Sequence, residues 1–124
     1  MADSSNYIKL SIAEGSVLTV RLADNPAGMA LMRHLSGRDI TIAMEDYAGM
    51  EKVGPIGIEL PRNDSRVSVG AGDLVLYQGR YLCIYYAANS WSFTRIGKVE
   101  GVDAAMLRDM LGEGDISITL SINR

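Results

Sequence analysis

The sequence predicts a mainly β domain, a closed barrel of about eight mostly antiparallel strands with two short capping α-helices. Three observations predict it. Stretches of strict apolar–polar alternation recur along the chain, separated by glycine-rich turns. Only two stretches carry helical spacing between a cap and a stop. The first and last alternating stretches would be exposed sheet edges unless closure places them close together.

The first stretch, "YIKLSIAEGSVLTVRL", reads as a hairpin. A two-residue turn at Glu14-Gly15 would put the apolar sets of the two strands on opposite faces. A three-residue loop, Ala13-Glu14-Gly15, sets Leu10 against Leu18 and Ile8 against Val20. The second register is preferred, because a slip by one residue exposes every apolar side chain. Gly15 suits the loop position that asks for a left-handed backbone. "DNPAGMALMRHLSG" is the first helix: Asp24 or Asn25 caps it, Pro26 suits its first turn, and Gly37 ends it. Ala27, Ala30, Leu31, His34 and Leu35 share a face, and His34, the sole histidine, reads as a packed residue rather than a base or ligand.

"RDITIAM" is a third strand. "EDYAGMEKVGPIGIELPRNDS" then reads as a long excursion with a short strand around Ile56 to Leu60, and a loop of that length in a small domain is usually functional. "SRVSVGAGDLVLYQGRYLCIYY" gives a turn at Gly70 to Gly72 and two strands joined at Gln78-Gly79. Both faces of these two strands are apolar, as expected of strands covered on both sides. "SWSFTRIGKV" continues as a strand. "GVDAAMLRDMLGEGD" is the second helix, capped by Asp103, with Met106, Leu107, Met110 and Leu111 as its buried stripe and Gly112 as its end. The chain closes on "ISITLSI", with Ile116, Ile118, Leu120 and Ile122 inward.

Composition narrows the function classes. At 124 residues with no linker or repeat, one domain covering 1–124 suffices. The net charge of -3 and pI near 5.0 argue against nucleic acid or an anionic membrane as partner, since both select a basic surface. No apolar run approaches the ~20 residues of a bilayer span. The start "MADSSNYIKL" has no basic region followed by an apolar block. The lone Cys83, inside an apolar run, reads as a small buried hydrophobe, so a reducing cytoplasmic setting is expected. One histidine and one cysteine far apart give no metal-ligand spacing, so no metal or other cofactor is expected. The glycines of "VGAGD" lack the lysine and hydroxyl residue of a phosphate loop and lead into a strand. A serine hydrolase would depend on His34 as base, and no nucleophile elbow is present.

At "MEDYAGMEKVGPI", "LPRND" and "GDLVLYQGRYLCIYYAANSWSFTRIGKV" the order and spacing resemble the cyclophilin-like family of small bacterial and archaeal proteins. The likeness covers nearly the whole chain, and the Ser-Trp-Ser-Phe-Thr-Arg-Ile-Gly block is its most specific part. The chain departs from the pattern at Val53 and Pro55, where the family often carries an aromatic after Glu-Lys. The resemblance implies an eight-stranded cyclophilin-like barrel capped by two helices. It does not carry over prolyl isomerisation: no Phe-x-x-Gln-Gly-like segment exists, the sole histidine is in an early helix, and Arg95 and Trp91 have the right residue types in a different setting.

Several residues are candidates for a binding site. Tyr47, Glu51 and Lys52 place a carboxylate and an ammonium together on the excursion, as does Asp46; the plainer alternative is a set of solvated surface ion pairs. Asn63 and Asp64 follow Pro61 and either make a turn or shape a pocket mouth, and the family resemblance adds weight to the second. Trp91, Phe93 and Arg95 alternate and so share one strand face, with Phe93 the best candidate for core. Trp91 and Arg95 offer a ring and a forked cation of the kind that anchors a ligand. The expectation is a binding module holding a peptide segment or small anionic molecule between Tyr47, Glu51, Lys52, Asn63, Asp64, Trp91 and Arg95. The alternatives are a divergent prolyl isomerase acting through Arg95, and an interaction protein whose aromatic patch binds another chain.

Overall fold

The strands close on themselves. The computed structural model describes residues 6–13 and 15–122 and contains nine strands and two helices. Strands β1 (Tyr7–Ile12) and β2 (Val17–Leu22) form the first hairpin, pairing Leu10 with Leu18 and Ile8 with Val20, the register expected of a three-residue loop. Gly15 holds φ at +123°, where a side chain is strained; Glu14 lies outside the described residues.

The remaining strands are β3 (Ile40–Tyr47), β4 (Glu51–Pro55), β5 (Ser65–Val69), β6 (Asp73–Tyr77), β7 (Tyr81–Tyr85), β8 (Asn89–Glu100) and β9 (Ile116–Ser121). Eight of them run β2-β1-β9-β3-β4-β7-β6-β8, and β8 returns to β2 through Thr19 opposite Glu100. Every pairing is antiparallel. The first and last strands are neighbours, with Leu10 opposite Leu120. Closure leaves neither as an edge.

Two details depart from the sequence reading. The short strand expected around Ile56 to Leu60 does not form. Ile56, Ile58 and Leu60 alternate, but Pro55, Pro61 and Gly57, at φ +83°, break the ladder, and the segment instead anchors Ile56 and Leu60 in the core as irregular chain. The first three residues of the excursion belong to β3, its first half holds β4, and β5 begins at its last residue, Ser65. β5 stays outside the ring: it pairs only with the first half of β8, Ser65 opposite Phe93 through Val69 opposite Asn89. The second half of β8 pairs β6 and β2. One strand therefore serves both the barrel and a two-stranded ribbon. A register shift against β6 places Ile96 as the extra residue of a bulge, after which Gly97 opposes Leu74. A Cβ on Gly97 would sit 2.6 Å from the Arg21 carbonyl oxygen, so this crossing needs a glycine.

Inward residues of the eight barrel strands and one face of each helix form a single core, including Ile8, Leu31, Ile42, Leu76, Ile84 and Leu107. Helix α1 (Pro26–Gly37) joins the end of β2 to the start of β3 at one mouth of the barrel. Helix α2 (Ala104–Leu111) joins the end of β8 to the start of β9 at the other. Each closes its mouth with buried residues, Leu31 and Leu35 in α1, Leu107 and Leu111 in α2. Asp103 Oδ1 accepts from the Met106 N–H at 2.8 Å and caps α2. Asn25 caps α1: its Oδ1 accepts from the Gly28 N–H at 2.8 Å, while its Nδ2 donates to the Arg95 carbonyl at 2.9 Å. One side chain thus starts the helix and ties it to β8. Asn25→Ala is expected to lower stability by about 1–2 kcal/mol, read as a shift in urea midpoint at unchanged slope. No helix among the described residues is long and apolar enough to cross a membrane.

Candidate functional site

Strands β6 and β7 are buried along almost their whole length, which the barrel interior explains for only one face. Leu74 and Leu76, like Leu82 and Ile84, point into the barrel. Their alternates Val75, Cys83 and Tyr85 point outward and are covered by a second apolar cluster with Val69 of β5 and Phe93 of β8. The ribbon of β5 and the first half of β8 supplies that cover. Tyr85 and Phe93 meet edge to face with centroids 5.7 Å apart, and Tyr77 meets Phe93 at 6.2 Å.

Beside this cluster a cavity of about 480 Å³ opens on the outer wall. Its floor and walls are Glu51 and Val53 of β4, Tyr77 of β6, Tyr81, Cys83 and Tyr85 of β7, and Asn89, Trp91 and Phe93 of β8. The β3–β4 turn adds Tyr47 and Met50; it is made by Ala48 and Gly49 at φ +56° and +67°, with the Met50 N–H donating to the Tyr47 carbonyl. Every aromatic side chain of the chain except Tyr7 and Tyr86 lines this cavity. Trp91 and Tyr47 stand at its rim, 51% and 59% exposed, which is unusual for rings of that size.

The polar groups form one chain. Asn89 Nδ2 donates to the Tyr85 hydroxyl at 3.0 Å, and that hydroxyl donates to Glu51 Oε2 at 2.8 Å. Glu51 is 6% exposed, and among the described residues it joins no ion pair. Burial, followed by the charge of Glu51, pushes the Cys83 thiol well above its ordinary value and keeps it protonated. Burial likewise raises Tyr85 far up, with the Asn89 amide opposing and the Glu51 carboxylate adding to it. Neither is a nucleophile at neutral pH; both are neutral hydrogen-bonding walls around one carboxylate.

Of the residues the sequence singled out, Tyr47, Glu51 and Trp91 meet in this cavity; Lys52, Asn63, Asp64 and Arg95 do not line it. Alternation along β4 is the reason for Lys52. With Glu51 outward, Lys52 turns inward, fully buried, where its Nζ donates to the Gly114 carbonyl at 2.5 Å and pairs Asp46 Oδ1 at 3.2 Å. The Tyr86 hydroxyl bonds the same Asp46 oxygen, and burial with that bond raises Tyr86 to about 12. Asn63 and Asp64 fasten the loop to β8: the Asn63 N–H donates to Thr94 Oγ1 at 2.8 Å, and that hydroxyl donates to Asp64 Oδ1 at 2.7 Å. Arg62, and then Thr94, hold the Asp64 carboxyl below the ordinary range. Arg95 shares the outward face with Trp91 and Phe93, as alternation requires, but lies opposite Val75 and is exposed outside the cavity. The lining therefore carries the charge opposite to the one an anion needs.

The sequence reading missed Tyr77, Tyr81, Tyr85 and Asn89. Alternation puts Tyr81 and Tyr85 on one face of β7, but that Tyr77 of β6 and Asn89 of β8 join that face under an outer cover is something alternation alone does not reveal. A second cavity, about 780 Å³, lies against the loop at Gly57 to Arg62 and the turn at Gln78 to Arg80. It is larger, but no buried aromatic or buried carboxylate lines it. Among the described residues there is no cluster of three or more His, Cys, Asp or Glu able to hold a metal ion. The family model described as the Cyclophilin-like family matches residues 11–122. No curated protein matches the chain.

Proposed function

The chain belongs to the cyclophilin-like family, and on that premise we propose that it is a binding module whose ligand, a peptide segment or a small molecule, sits in the outer-wall cavity between β4, β7 and the first half of β8. The observation that carries this reading is the cavity itself: about 480 Å³, walled by aromatic rings, with a hydrogen-bond chain running from half-buried Asn89 through buried Tyr85 to buried Glu51. Sites of that volume, apolar with a few convergent polar groups, are what small ligands and side chains fill. The buried, unreactive Cys83 suits a reducing compartment such as the cytoplasm.

The test is an NMR screen of capped dipeptides and small apolar fragments. Shift changes are expected to cluster on Met50, Val53, Cys83 and the Trp91 indole, not on Leu60 or Arg80. Trp91→Ala is expected to weaken the best fragment about tenfold or more, the loss typical of truncating an aromatic anchor. Changes confined to the second cavity, or none at saturating fragment, would remove this reading. The isomerase alternative rests on Arg95 reaching the substrate, and Arg95 lies outside the lining. A proline-peptide exchange assay is expected to show no acceleration; acceleration lost in Arg95→Ala would establish the enzyme instead.

A further inference from the structure

We propose that the occupant of this cavity carries a positive charge: a small organic ammonium ion, seated against the Glu51 carboxylate inside the ring of aromatic side chains. The proposal rests on the binding reading above and deepens it by naming the ligand class. Three features of the cavity converge on it.

The first is charge. Glu51 is the one charged lining residue, it is 6% exposed, and no ion pair among the described residues includes it. A carboxylate removed from water is costly unless paired. Its neighbours in the cavity, Tyr85 and Asn89, are neutral donors that supply hydrogen bonds but no countercharge. The nearest lysine in sequence, Lys52, is turned into the barrel and committed to Asp46 and Gly114. The second is the wall. Tyr77, Tyr81, Trp91 and Phe93 offer π faces and edges within one cavity, and ring faces attract ammonium and guanidinium groups. Trp91 already has one cation beside it: the Arg66 guanidinium, outside the lining, sits 6.0 Å from its ring centroid. The third is the donor inventory. An ammonium ion has no acceptor to satisfy, and the cavity offers carboxylate, phenol and amide oxygens but no basic side chain. An anion would meet Glu51 with nothing to offset the repulsion.

The experiment uses the full chain and the fluorescence of Trp91, its only tryptophan, which stands at the cavity rim. Three probes of one shape are titrated: choline, its uncharged isostere with carbon in place of nitrogen, and the carboxylate tert-butylacetate. Choline is expected to saturate with an affinity about tenfold or more above the uncharged isostere, the scale set by a desolvated cation on aromatic faces beside a carboxylate. Tert-butylacetate is expected not to saturate. Glu51→Gln, which keeps shape and the acceptor for Tyr85, is expected to erase the preference for choline over the isostere. Should that variant fold poorly, the comparison of the three probes in the unaltered protein decides alone. Equal binding of choline and the isostere, or stronger binding of the carboxylate, overturns the charge assignment and leaves the cavity as a site. No saturation by any probe, with a silent fragment screen, overturns both.

Discussion

Gly54→Ala is expected to destabilise the protein by about 3 kcal/mol, the upper part of the range for overfilling a packed interior. Gly54 follows Val53 on β4 and faces inward at the seam with β3. A Cβ there would stand 2.2 Å from the Ala43 carbonyl oxygen and 3.0 Å from Ile42 Cγ2. The first obstacle is backbone, so no rotamer change relieves it. The β3–β4 ladder runs from Tyr47 opposite Glu51 to Glu45 opposite Val53, and the two strands draw together just beyond it. Relief means prising β4 from β3, and β4 also pairs β7 along its length. Gly37, at the end of α1, provides the control: a Cβ there meets nothing within 4 Å, so Gly37→Ala is expected to be neutral or stabilising by up to about 1 kcal/mol. Guanidinium denaturation of both variants measures the contrast. Equal midpoints would mean that the strands are not held at this separation.

The same strand shows how far a sequence can be read. Periodicity sufficed where one face is wet and the other dry. The β1–β2 register, the pairing of first with last strand, and both helix caps followed from alternation, a glycine in the turn and a polar residue before each apolar stripe. It failed where both faces are covered or where the apolar period is interrupted. β4 contains Gly54 and Pro55 and alternates a carboxylate with an ammonium, so nothing local marks it as strand; the ladders to β3 and β7 make it one. Ile56, Ile58 and Leu60 had the right period and the wrong neighbours, since Gly57 takes a positive φ and prolines flank the segment. The site suffered from the same limit. Glu51 and Lys52 were grouped because they are adjacent, yet adjacency in a strand sends two side chains to opposite faces. One lines the outer cavity and the other is sealed in the barrel mouth.

That separation gives Lys52 a structural role, and Lys52→Ala is expected to cost about 3 kcal/mol, the lower end for breaking a buried ion pair. Its side chain is wholly buried, while Asp46 keeps 28% of its side-chain exposure and can recover some hydration once the pair is broken. The variant also strips the Gly114 carbonyl of its donor, just beyond α2, removes the ammonium that stands 6.0 Å from the Tyr86 ring centroid, and leaves a void where the buried stem stood. Lys52→Met keeps the stem, so the difference between the two variants isolates packing from charge. The pH dependence follows from Asp46. The Tyr86 hydroxyl, then Lys52, hold its carboxyl below the ordinary value against the opposing cost of burial. A carboxyl depressed in the folded state contributes stability that is present above its unfolded value and lost as pH falls through the folded one. Stability should therefore decline on acidification below about pH 4, and the decline should be shallower in Lys52→Met, because part of the depression is gone. Urea midpoints across that window measure it. In the same variant choline titration of Trp91 should be unchanged, because Lys52 faces away from the cavity. A Lys52→Met protein of full stability whose affinity for choline rose, as loss of a like charge beside the ligand requires, would place the ammonium at the ligand and not in the barrel mouth, reversing the division of labour between two adjacent residues on which the site depends.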